Sequence, residues 1–341
     1  MQAFNCESPR IIDAFLANDE IDLAKFRIAY LDSYVDLVVI GESNVTFRGT
    51  SKPLYFKNWL AKFPLLSKKV VTVSLNLAGD DAWQRESSAR EALLDFLISN
   101  YPDAGYIISD LDEIPSKSQV TEMRKIHGDY HFWTPTFYRK ANWATSDWNW
   151  HWSKAVFTTR NEKEWPNAGR HVKLPQLKSR DAGCHFSYLG FDANQMENKL
   201  KSFSHIELDF AEISNQSFLD YCDKFLIDHL GRIESDSFGL LSQLEYSELP
   251  TIARELYSFK PEFFDFRRRS ESILFRLVAS AMVSIVVRKN RLSKDAFLIV
   301  VGATISLFRR IQVYAFCFRL ILISIFRKQV RRIKRYFRVT K

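Results

Sequence analysis

The sequence predicts an α/β fold with a mostly parallel central sheet, and three features of its amino-terminal half support this prediction. First, short runs rich in Val and Ile, which are typical of buried strands, occur at 35–40 (VDLVVI), 69–73 (KVVTV) and 106–109 (YIIS). Second, segments with apolar residues at helical spacing lie between the runs. Third, capping and breaking residues separate the two kinds of segment. Strands that alternate with helices along a chain are typical of a parallel sheet covered by helices.

The helices and the last strand of this region follow from the same pattern. Asp80 and Asp81 offer N-caps to a helix at 83–100, in which Leu and Ile recur at helical spacing. Ser116 opens a second, shorter helix, and a strand follows at 130–134. In α/β sheets, ligands bind beyond the carboxyl ends of the parallel strands. The residues just after these strands are therefore the first candidates for a functional site.

The composition is that of a globular protein, since 46% of the 341 residues are hydrophobic and 14% are aromatic. This apolar content can bury a large core and excludes a disordered or fibrous chain. The four cysteines are scattered and form no CxxC pair, which favours a reducing compartment. The first residues, MQAFNCESPR, contain neither the basic nor the apolar segment of a secretory signal, so we expect no cleaved signal here.

The net charge of +8 hides two unlike regions. Residues 267–341 contain 19 Lys and Arg against 2 Asp and Glu, a net charge of +17, and the rest of the chain carries −9. Regions of such different charge are expected to have different partners. We therefore predict an acidic folded domain at 1–265 and a basic, apolar, helical tail at 266–341.

Two features predict that the tail binds a membrane surface. Its longest uncharged run, 296–308, has 13 residues. As a helix this run would rise only about 20 Å, which is short of the roughly 30 Å of bilayer hydrocarbon. Farther on, Arg327, Arg331, Lys334 and Arg338 would share one helix face, as in helices that lie in the membrane interface. We expect a membrane-associated protein at the cytoplasmic face, through such a helix or a tilted span, and no nucleic-acid partner. The alternative is a helical subdomain packed on the acidic domain.

The sharpest local signal is the segment 106–115, YIISDLDEIP, in which an apolar strand runs into Asp110, Asp112 and Glu113 and stops at a proline. Carboxylates this close together repel one another unless a cation neutralises them. Hard oxygen ligands suit Mg²⁺ or Mn²⁺, which would in turn bind phosphate oxygens. The segment indicates a divalent-cation site for a diphosphate substrate. The alternative is a solvated acidic turn that caps the next helix.

Five segments, in this order along the chain, resemble the signature of glycosyltransferase family 17. They are IGESNVTF with KPLYF at 40–56, WQRE with Arg90 at 83–90, ISDLDEIP at 108–115, DAGCHFSYLG at 181–190 and KLKSFSH at 199–205. Together they cover roughly residues 20–235. Cys184 and Phe191 depart from the family's pattern, whereas the acidic segment matches it closely.

The resemblance implies a GT-A-like fold and an enzyme that uses a nucleotide-sugar donor. We expect an inverting, metal-dependent transfer of N-acetylglucosamine from UDP-GlcNAc to a sugar hydroxyl, with Mn²⁺ or Mg²⁺ as cofactor and a glycan or lipid-linked saccharide as acceptor. Inversion requires one in-line displacement, in which a carboxylate takes the acceptor proton while the diphosphate leaves. Two alternatives are a glycosyltransferase of envelope polysaccharide assembly with a different donor and a non-catalytic carbohydrate-binding membrane protein.

The resemblance also suggests roles for particular residues in the acidic and later segments. Asp112 is the first candidate for the metal ligand, and Asp110 would contact the ribose or the same metal. His185 and His205 are candidates for a further ligand, since neutral imidazole binds divalent cations. Glu113 would support the turn or cap the next helix.

Other residues would bind the donor or act as the base. Arg85 and Arg90 could pair with the diphosphate through their forked donors, or lie on an exposed helix face beside neighbouring glutamates. Glu42 and Asn44, just past a strand end, could hold the base or ribose of the nucleotide, or form only a polar turn. Asp181 is our candidate for the general base. The alternatives for this role are Asp147, Glu207 and Asp209.

An aromatic-rich stretch completes the candidates. It contains Trp133, Phe137, Tyr138, Trp143, Trp148, Trp150 and Trp152. Because sugars stack their apolar CH faces on aromatic rings, this stretch could form part of an acceptor cleft. The alternative is ordinary packing in the core and the sheet.

Overall fold

The computed structural model of the chain describes residues 10–63, 65, 68–126, 128–145, 156–158, 174–177, 181–209, 211–230, 239–269 and 271–289. The strands in these ranges are β1 (Ile11–Leu16), β2 (Leu37–Glu42), β3 (Val70–Ser74), β4 (Gly105–Asp110), β5 (Glu113–Ile114), β6 (Tyr130–Phe132), β7 (Thr136–Tyr138), β8 (Trp143–Thr145), β9 (Val156–Thr158), β10 (Gln176–Leu177), β11 (Cys184–Ser187) and β12 (Leu241–Gln243). The helices are α1 (Ile21–Leu31), α2 (Tyr55–Leu60), α3 (Ala82–Asn100), α4 (Lys117–Met123), α5 (Ala193–Ser202), α6 (Gln216–Phe225), α7 (Thr251–Phe259) and α8 (Ile273–Lys289). Short 3-10 turns lie at Ile206–Leu208, Tyr246–Glu248 and Pro261–Phe263.

Seven strands form the main sheet, in the order β10-β6-β9-β4-β1-β2-β3. β4, β1, β2 and β3 are parallel to one another. β9 lies antiparallel between β4 and β6, so the sheet is mixed towards that edge. The mixed α/β fold is confirmed, and the predicted strands at 35–40, 69–73 and 106–109 correspond to β2, β3 and β4.

The central strand β1 and the helix α1 that follows it are elements that the sequence-based prediction lacks. Side chains of β1 alternate between two apolar clusters: Ile11 and Phe15 pack in one, Ile12 and Ala14 in the other. Asp13 interrupts this apolar run and is nevertheless fully buried. The ion pair that makes this burial possible comes from α1 and is described with the site below.

Helices cover both faces of the main sheet. Leu93 and Leu97 of α3 pack on one face, and Phe26 of α1 and Val120 of α4 belong to the cluster on the other. The two predicted helix starts are confirmed by their caps. The Asp81 carboxylate accepts a hydrogen bond of 2.8 Å from the Gln84 backbone N–H, and Ser116 forms a capping box with Gln119.

A second sheet has the order β12-β8-β7-β11-β5. In it β11 is parallel to β7 and antiparallel to β5. Because β4 ends at Asp110 and β5 begins at Glu113, the acidic segment is the junction between the two sheets. The Phe186 backbone N–H donates to the Asp112 carbonyl oxygen at 2.8 Å, so β11 also contacts this junction.

The predicted tail begins with a helix that packs on the rest of the protein. Residues Ala279, Val283 and Val287 of α8 form an apolar cluster with Cys222, Ile227 and Leu240. No helix in the described part of the chain is long and apolar enough to span a membrane. The run 296–308 and the basic face from Arg327 to Arg338 lie outside the described residues.

The aromatic stretch contributes to the core where the structure describes it. Phe137, Tyr138 and Trp143 are all buried, and the Arg269 guanidinium lies 5.5 Å from the centre of the Trp143 ring. For Phe137 and Trp143 the packing interpretation therefore fits. Trp148, Trp150, Trp152 and the acidic candidate Asp147 lie outside the described residues.

Candidate active site

A cavity of about 480 Å³ opens at the carboxyl edge of the parallel strands. Its lining includes residues at the ends of β1, β2 and β4, together with His185 of β11 and Lys199 of α5. Asp110 and Asp112 both line it, so the acidic segment faces the cavity. This is the edge of an α/β sheet at which ligands bind.

Arg90 connects Asp110 to the rest of the cavity wall. Its guanidinium donates to the carboxylates of Asp110 at 2.7 Å and of Glu86 at 2.6 Å, and the Ser204 hydroxyl donates to Glu86 at 2.5 Å. Arg90 is only 4% exposed. Burial opposes its charge, but the carboxylates of Asp110 and Glu86 outweigh burial and raise the pKa of Arg90. The guanidinium is thus a permanent positive charge that orients Asp110.

Asp112 faces two cationic or basic groups at longer distance. Its carboxylate oxygen lies 3.7 Å from His185 Nε2 and 3.7 Å from Lys199 Nζ. Lys199 Nζ also lies 3.1 Å from the Glu20 carboxylate. Burial would raise the pKa of Asp112, but Lys199 and His185 outweigh it and lower that pKa. Asp112 is therefore an ionised carboxylate held in a largely buried position.

The backbone of the acidic segment is held from below by Arg27 of α1. Its Nη1 donates to the carbonyl oxygens of Asp110, Leu111 and Glu113 at 2.8, 3.1 and 3.2 Å. Its other nitrogens donate to the Asp13 carboxylate at 2.5 and 2.9 Å. Both side chains of this ion pair are 0% exposed. One buried guanidinium therefore fixes three carbonyls of the turn that presents the carboxylates.

Lys52 adds a further positive charge to the cavity lining, beside Arg90 and Lys199. Its Nζ is inaccessible to solvent and has no hydrogen-bond partner within the described residues. Burial lowers the pKa of Lys52, and the nearby Glu42, Asp19 and Glu20 carboxylates oppose this effect. An ammonium group in this situation gains a hydrogen bond when an anion enters the cavity.

The two candidates for nucleotide binding after β2 differ in position. Glu42 lines the cavity and is buried. Its carboxylate accepts the backbone N–H groups of Phe56 at 3.0 Å and Lys57 at 2.6 Å, so it caps the first turn of α2. Asn44 is exposed. Of these two residues, the structure brings only Glu42 to the cavity.

Arg85 and Asp181 contribute to loop structure in the described contacts. Arg85 donates to the carbonyl oxygens of Phe47 at 2.5 Å and Gly79 at 2.9 Å, and it is not among the cavity-lining residues. The Asp181 carbonyl accepts the Ser116 hydroxyl at 2.8 Å, and Asp181 is likewise absent from the lining. Their predicted roles in donor binding and as the base stay predictions.

The candidate residues that follow α5 differ in whether they line the cavity. His205 and Glu207 both line the cavity, and His205 Nδ1 lies 2.6 Å from the Glu207 carboxylate. The His205 ring makes an edge contact with Trp83 at 4.6 Å. Asp209 instead forms an ion pair with Arg48 and is not part of the lining.

The side chains around the acidic segment offer the kinds of ligand atom that a divalent cation binds. Asp110, Asp112 and His185 line one cavity and offer carboxylate oxygens and an imidazole nitrogen, ligands that Mn²⁺ accepts. Within the described residues, no three His, Cys, Asp or Glu side chains form a complete metal-binding group. Magnesium-type sites are commonly of this open kind, with one or two carboxylates, waters and substrate phosphates as ligands. The residues present therefore fit a cation that binds together with a diphosphate.

Sequence reasoning missed four residues of this site: Glu20, Arg27, Lys52 and Lys199. Lys52 and Lys199 belong to segments already singled out, but no role was assigned to them. Arg27 and its partner could have been found from a simple signal, since Asp13 interrupts an apolar strand and Arg27 interrupts an apolar helix. Charged residues in such positions are buried only when they are paired.

Comparisons with known proteins show the family to which the chain belongs. The sequence model of glycosyltransferase family 17 matches residues 3–230, which include every residue of the cavity lining described above. Proteins named beta-1,4-mannosyl-glycoprotein 4-beta-N-acetylglucosaminyltransferase from Homo sapiens and Rattus norvegicus are each 33% identical over 138 residues, which is 38% of this chain and 25% of the relative. The Mus musculus protein of that name is 32% identical over 138 residues. This chain thus spans about a quarter of the length of these relatives. The match over two thirds of the chain shows that it belongs to glycosyltransferase family 17.

Proposed function

We propose that this chain is an inverting, metal-dependent glycosyltransferase with a GT-A-like fold, which transfers N-acetylglucosamine from UDP-GlcNAc to a sugar hydroxyl. The observation that carries the proposal is the cavity at the carboxyl edge of the sheet, which collects Asp110, Asp112, His185 and Arg90. Family membership supports a nucleotide-sugar donor and a glycan acceptor. The name shared by the three relatives supports N-acetylglucosamine as the transferred sugar.

In this proposal Asp110, Asp112 and His185 hold Mn²⁺ or Mg²⁺ together with the donor diphosphate. A cation bound there supplies the positive charge that stabilises the diphosphate as it leaves. Arg90 keeps the Asp110 carboxylate oriented, and Arg27 keeps the backbone of the turn in place. Lys52 and Lys199 add positive charge beside the leaving group.

Inversion needs a base that takes the proton of the acceptor hydroxyl during a single displacement. Asp181 is the candidate from the sequence. Glu20 and Glu207 compete with it because both line the cavity. The variants Asp181→Asn, Glu20→Gln and Glu207→Gln separate the three, since loss of the base slows transfer and leaves donor binding in place.

A donor-by-metal screen tests the proposal, because slow hydrolysis of the donor requires no knowledge of the acceptor. UDP release is measured with UDP-GlcNAc, UDP-glucose, UDP-galactose and GDP-mannose, each with Mn²⁺, Mg²⁺ or EDTA. We expect release from UDP-GlcNAc that needs a divalent cation and is lost in Asp112→Ala. Full release in EDTA would overturn the metal requirement. A preference for another donor would favour the polysaccharide-assembly alternative, and glycan binding without any release would favour the non-catalytic one.

We also propose that the basic region 266–341 attaches the enzyme to the cytoplasmic face of a membrane. Its net positive charge and alternating apolar segments support binding to anionic lipid. Sedimentation with vesicles of phosphatidylglycerol and phosphatidylcholine tests this. Binding that rises with the anionic fraction and falls in salt is expected, and equal recovery with purely zwitterionic vesicles would contradict it.

A further inference from the structure

A second cavity, of about 490 Å³, lies next to the first. The two share a wall of four residues, which are Glu20, Asp112, Tyr188 and Lys199. The volume is within the range of about 300–1,000 Å³ that is typical of small-molecule sites. The second cavity therefore opens directly onto the carboxylate that the proposed mechanism assigns to the leaving diphosphate.

Aromatic rings contribute to the wall of the second cavity. Tyr188 is buried, and Phe191 and Phe263 are partly exposed towards it. The Lys199 ammonium lies 5.3 Å from the centre of the Tyr188 ring and 5.4 Å from that of the Phe191 ring. Partly exposed rings beside polar groups suit the alternating CH faces and hydroxyls of a sugar.

The polar groups of this cavity disfavour an anionic ligand. Five carboxylates line it, from Asp19, Glu20, Asp22, Asp112 and Glu262. The two ammonium groups in the lining are already paired, Lys199 with Glu20 and Lys260 with Asp22. A phosphate would meet net negative charge there, whereas carboxylates are good acceptors for sugar hydroxyls.

The cavity is also well defined by its backbone. Tyr188 and Gly190 have positive φ angles, of 55° and 70°, and form the tight turn after β11. A Cβ atom at Gly190 would lie 2.8 Å from the Phe263 ring, so this ring packs directly on the turn. The ion pair between Lys260 and Asp22 connects the 3-10 turn that contains Phe263 to the start of α1. A site built in this way is formed before its ligand arrives.

We propose that the second cavity binds the acceptor as an uncharged saccharide, with the reacting hydroxyl directed at the shared wall. This inference rests on the proposed function and adds to it the position and chemical class of the second substrate. The acceptor hydroxyl then approaches the donor sugar beside Asp112 and Lys199, and the rest of the acceptor stays in the second cavity.

The test uses the full chain and neutral p-nitrophenyl glycosides as probes, namely the β-mannoside, the N-acetyl-β-glucosaminide and the β-galactoside. Binding is measured by saturation-transfer NMR, and the ratio of transfer to donor hydrolysis is measured with UDP-GlcNAc. Phe263→Ala and Phe191→Ala remove the rings. Glu262→Ala changes a side chain that is 65% exposed, so it tests the same site with little risk to folding. Phe275→Ala, on α8 and 67% exposed, is the matched control.

We expect at least one glycoside to bind the parent protein, and the ratio of transfer to hydrolysis to fall about tenfold in Phe263→Ala and Phe191→Ala and about threefold in Glu262→Ala. Phe275→Ala should keep the parental ratio. Parental ratios in all three cavity variants, or no binding of any probe to the parent protein, would overturn the inference. Hydrolysis of UDP-GlcNAc by the parent protein requires no acceptor in the second cavity, so its absence would count against the proposed function instead.

Discussion

The two sides of the acidic turn are built in opposite ways. Below it, Arg27 and Asp13 are fully buried, and their contacts with each other and with the turn lie between 2.5 and 3.2 Å. Above it, the Asp112 carboxylate faces His185 and Lys199 at 3.7 Å each. The lower side fixes the backbone, whereas the upper side keeps the carboxylate charged without tight contacts. This difference is what a reactive site needs, because the ligand groups are positioned before the substrate arrives.

Breaking the ion pair between Arg27 and Asp13, below the turn, should give the largest effect. In Arg27→Met the Asp13 carboxylate stays buried without its partner, which costs about 3–5 kcal/mol of the free energy of unfolding. Urea denaturation followed by tryptophan fluorescence measures this loss. A change below about 1 kcal/mol, the value typical of an exposed pair, would contradict the burial described here.

The double variant Asp13→Leu with Arg27→Met separates stability from function. Replacing a buried ion pair by apolar residues is often neutral for stability, so we expect most of the lost stability to return. The carbonyls of the turn would still lack their donor, so release of UDP from UDP-GlcNAc should stay low. Parental UDP release in the double variant would show that the lower side supports only folding.

Removing the charge on the upper side should give the next largest effect. Asp112→Asn should lower UDP release by about 100-fold or more, because the diphosphate loses the carboxylate that holds its cation. The melting temperature should change little, since the contacts of Asp112 are long. Asp103→Asn, at an exposed position before β4, is the control. Similar rates in the two variants would remove Asp112 from the mechanism.

Replacing Arg90, the arginine beside Asp110, should give an effect of intermediate size. In Arg90→Lys one ammonium cannot reproduce the forked contact with Asp110 and Glu86, so kcat/KM for the donor should fall about tenfold. Arg85→Lys is the matched control, since Arg85 donates to the backbone carbonyls of Phe47 and Gly79 and does not itself line the cavity. An equal loss in Arg85→Lys would favour the direct role in donor binding that the sequence predicts for Arg85.

A partly exposed pair between Asp22, on the same helix as Arg27, and Lys260, just before the 3-10 turn Pro261–Phe263, should give the smallest effect. The hydrogen bond from Lys260 lowers the pKa of Asp22 below 3.8, but the Asp22 side chain is 47% exposed. Solvent screening therefore limits the pair to about 1 kcal/mol or less. A carboxylate whose pKa is lower in the folded than in the unfolded protein stabilises the fold at pH values above its unfolded pKa. This stabilisation is lost as pH falls through the folded pKa. The stability difference between Asp22→Asn and the parent should thus be constant near pH 7, begin to shrink as pH falls towards 3.8, and vanish once the pH is below the folded-state pKa of Asp22, in urea titrations at each pH. A difference that does not shrink at all as pH falls below 3.8 would contradict this assignment.

The sequence predicted the parts of the fold that have regular local patterns. β2, β3, β4 and the helix 83–100 were predicted because apolar periodicity and caps are visible in short windows. β1 was missed because Asp13 interrupts its apolar run, and the reason for that interruption lies on another element. A pair that joins a strand and a helix cannot be recognised from either segment alone.

The candidate site was predictable in its centre and less so at its edges. Asp110, Asp112, His185 and Arg90 line one cavity, as residues from different segments of one family signature would. Asn44, Arg85 and Asp181 come from the same segments but do not line it. A family segment contains residues that hold loops as well as residues that face a ligand, and only coordinates distinguish them.

The packing of α8 has a practical consequence for anyone who expresses this protein. A recombinant form that stops at the predicted domain boundary, residue 265, would lack Ala279, Val283 and Val287 and would leave Cys222 and Ile227 uncovered. Bare apolar surface of this kind promotes self-association and would also make the Cys222 thiol open to oxidation. A form that ends after Lys289 keeps that surface covered and omits most of the basic tail.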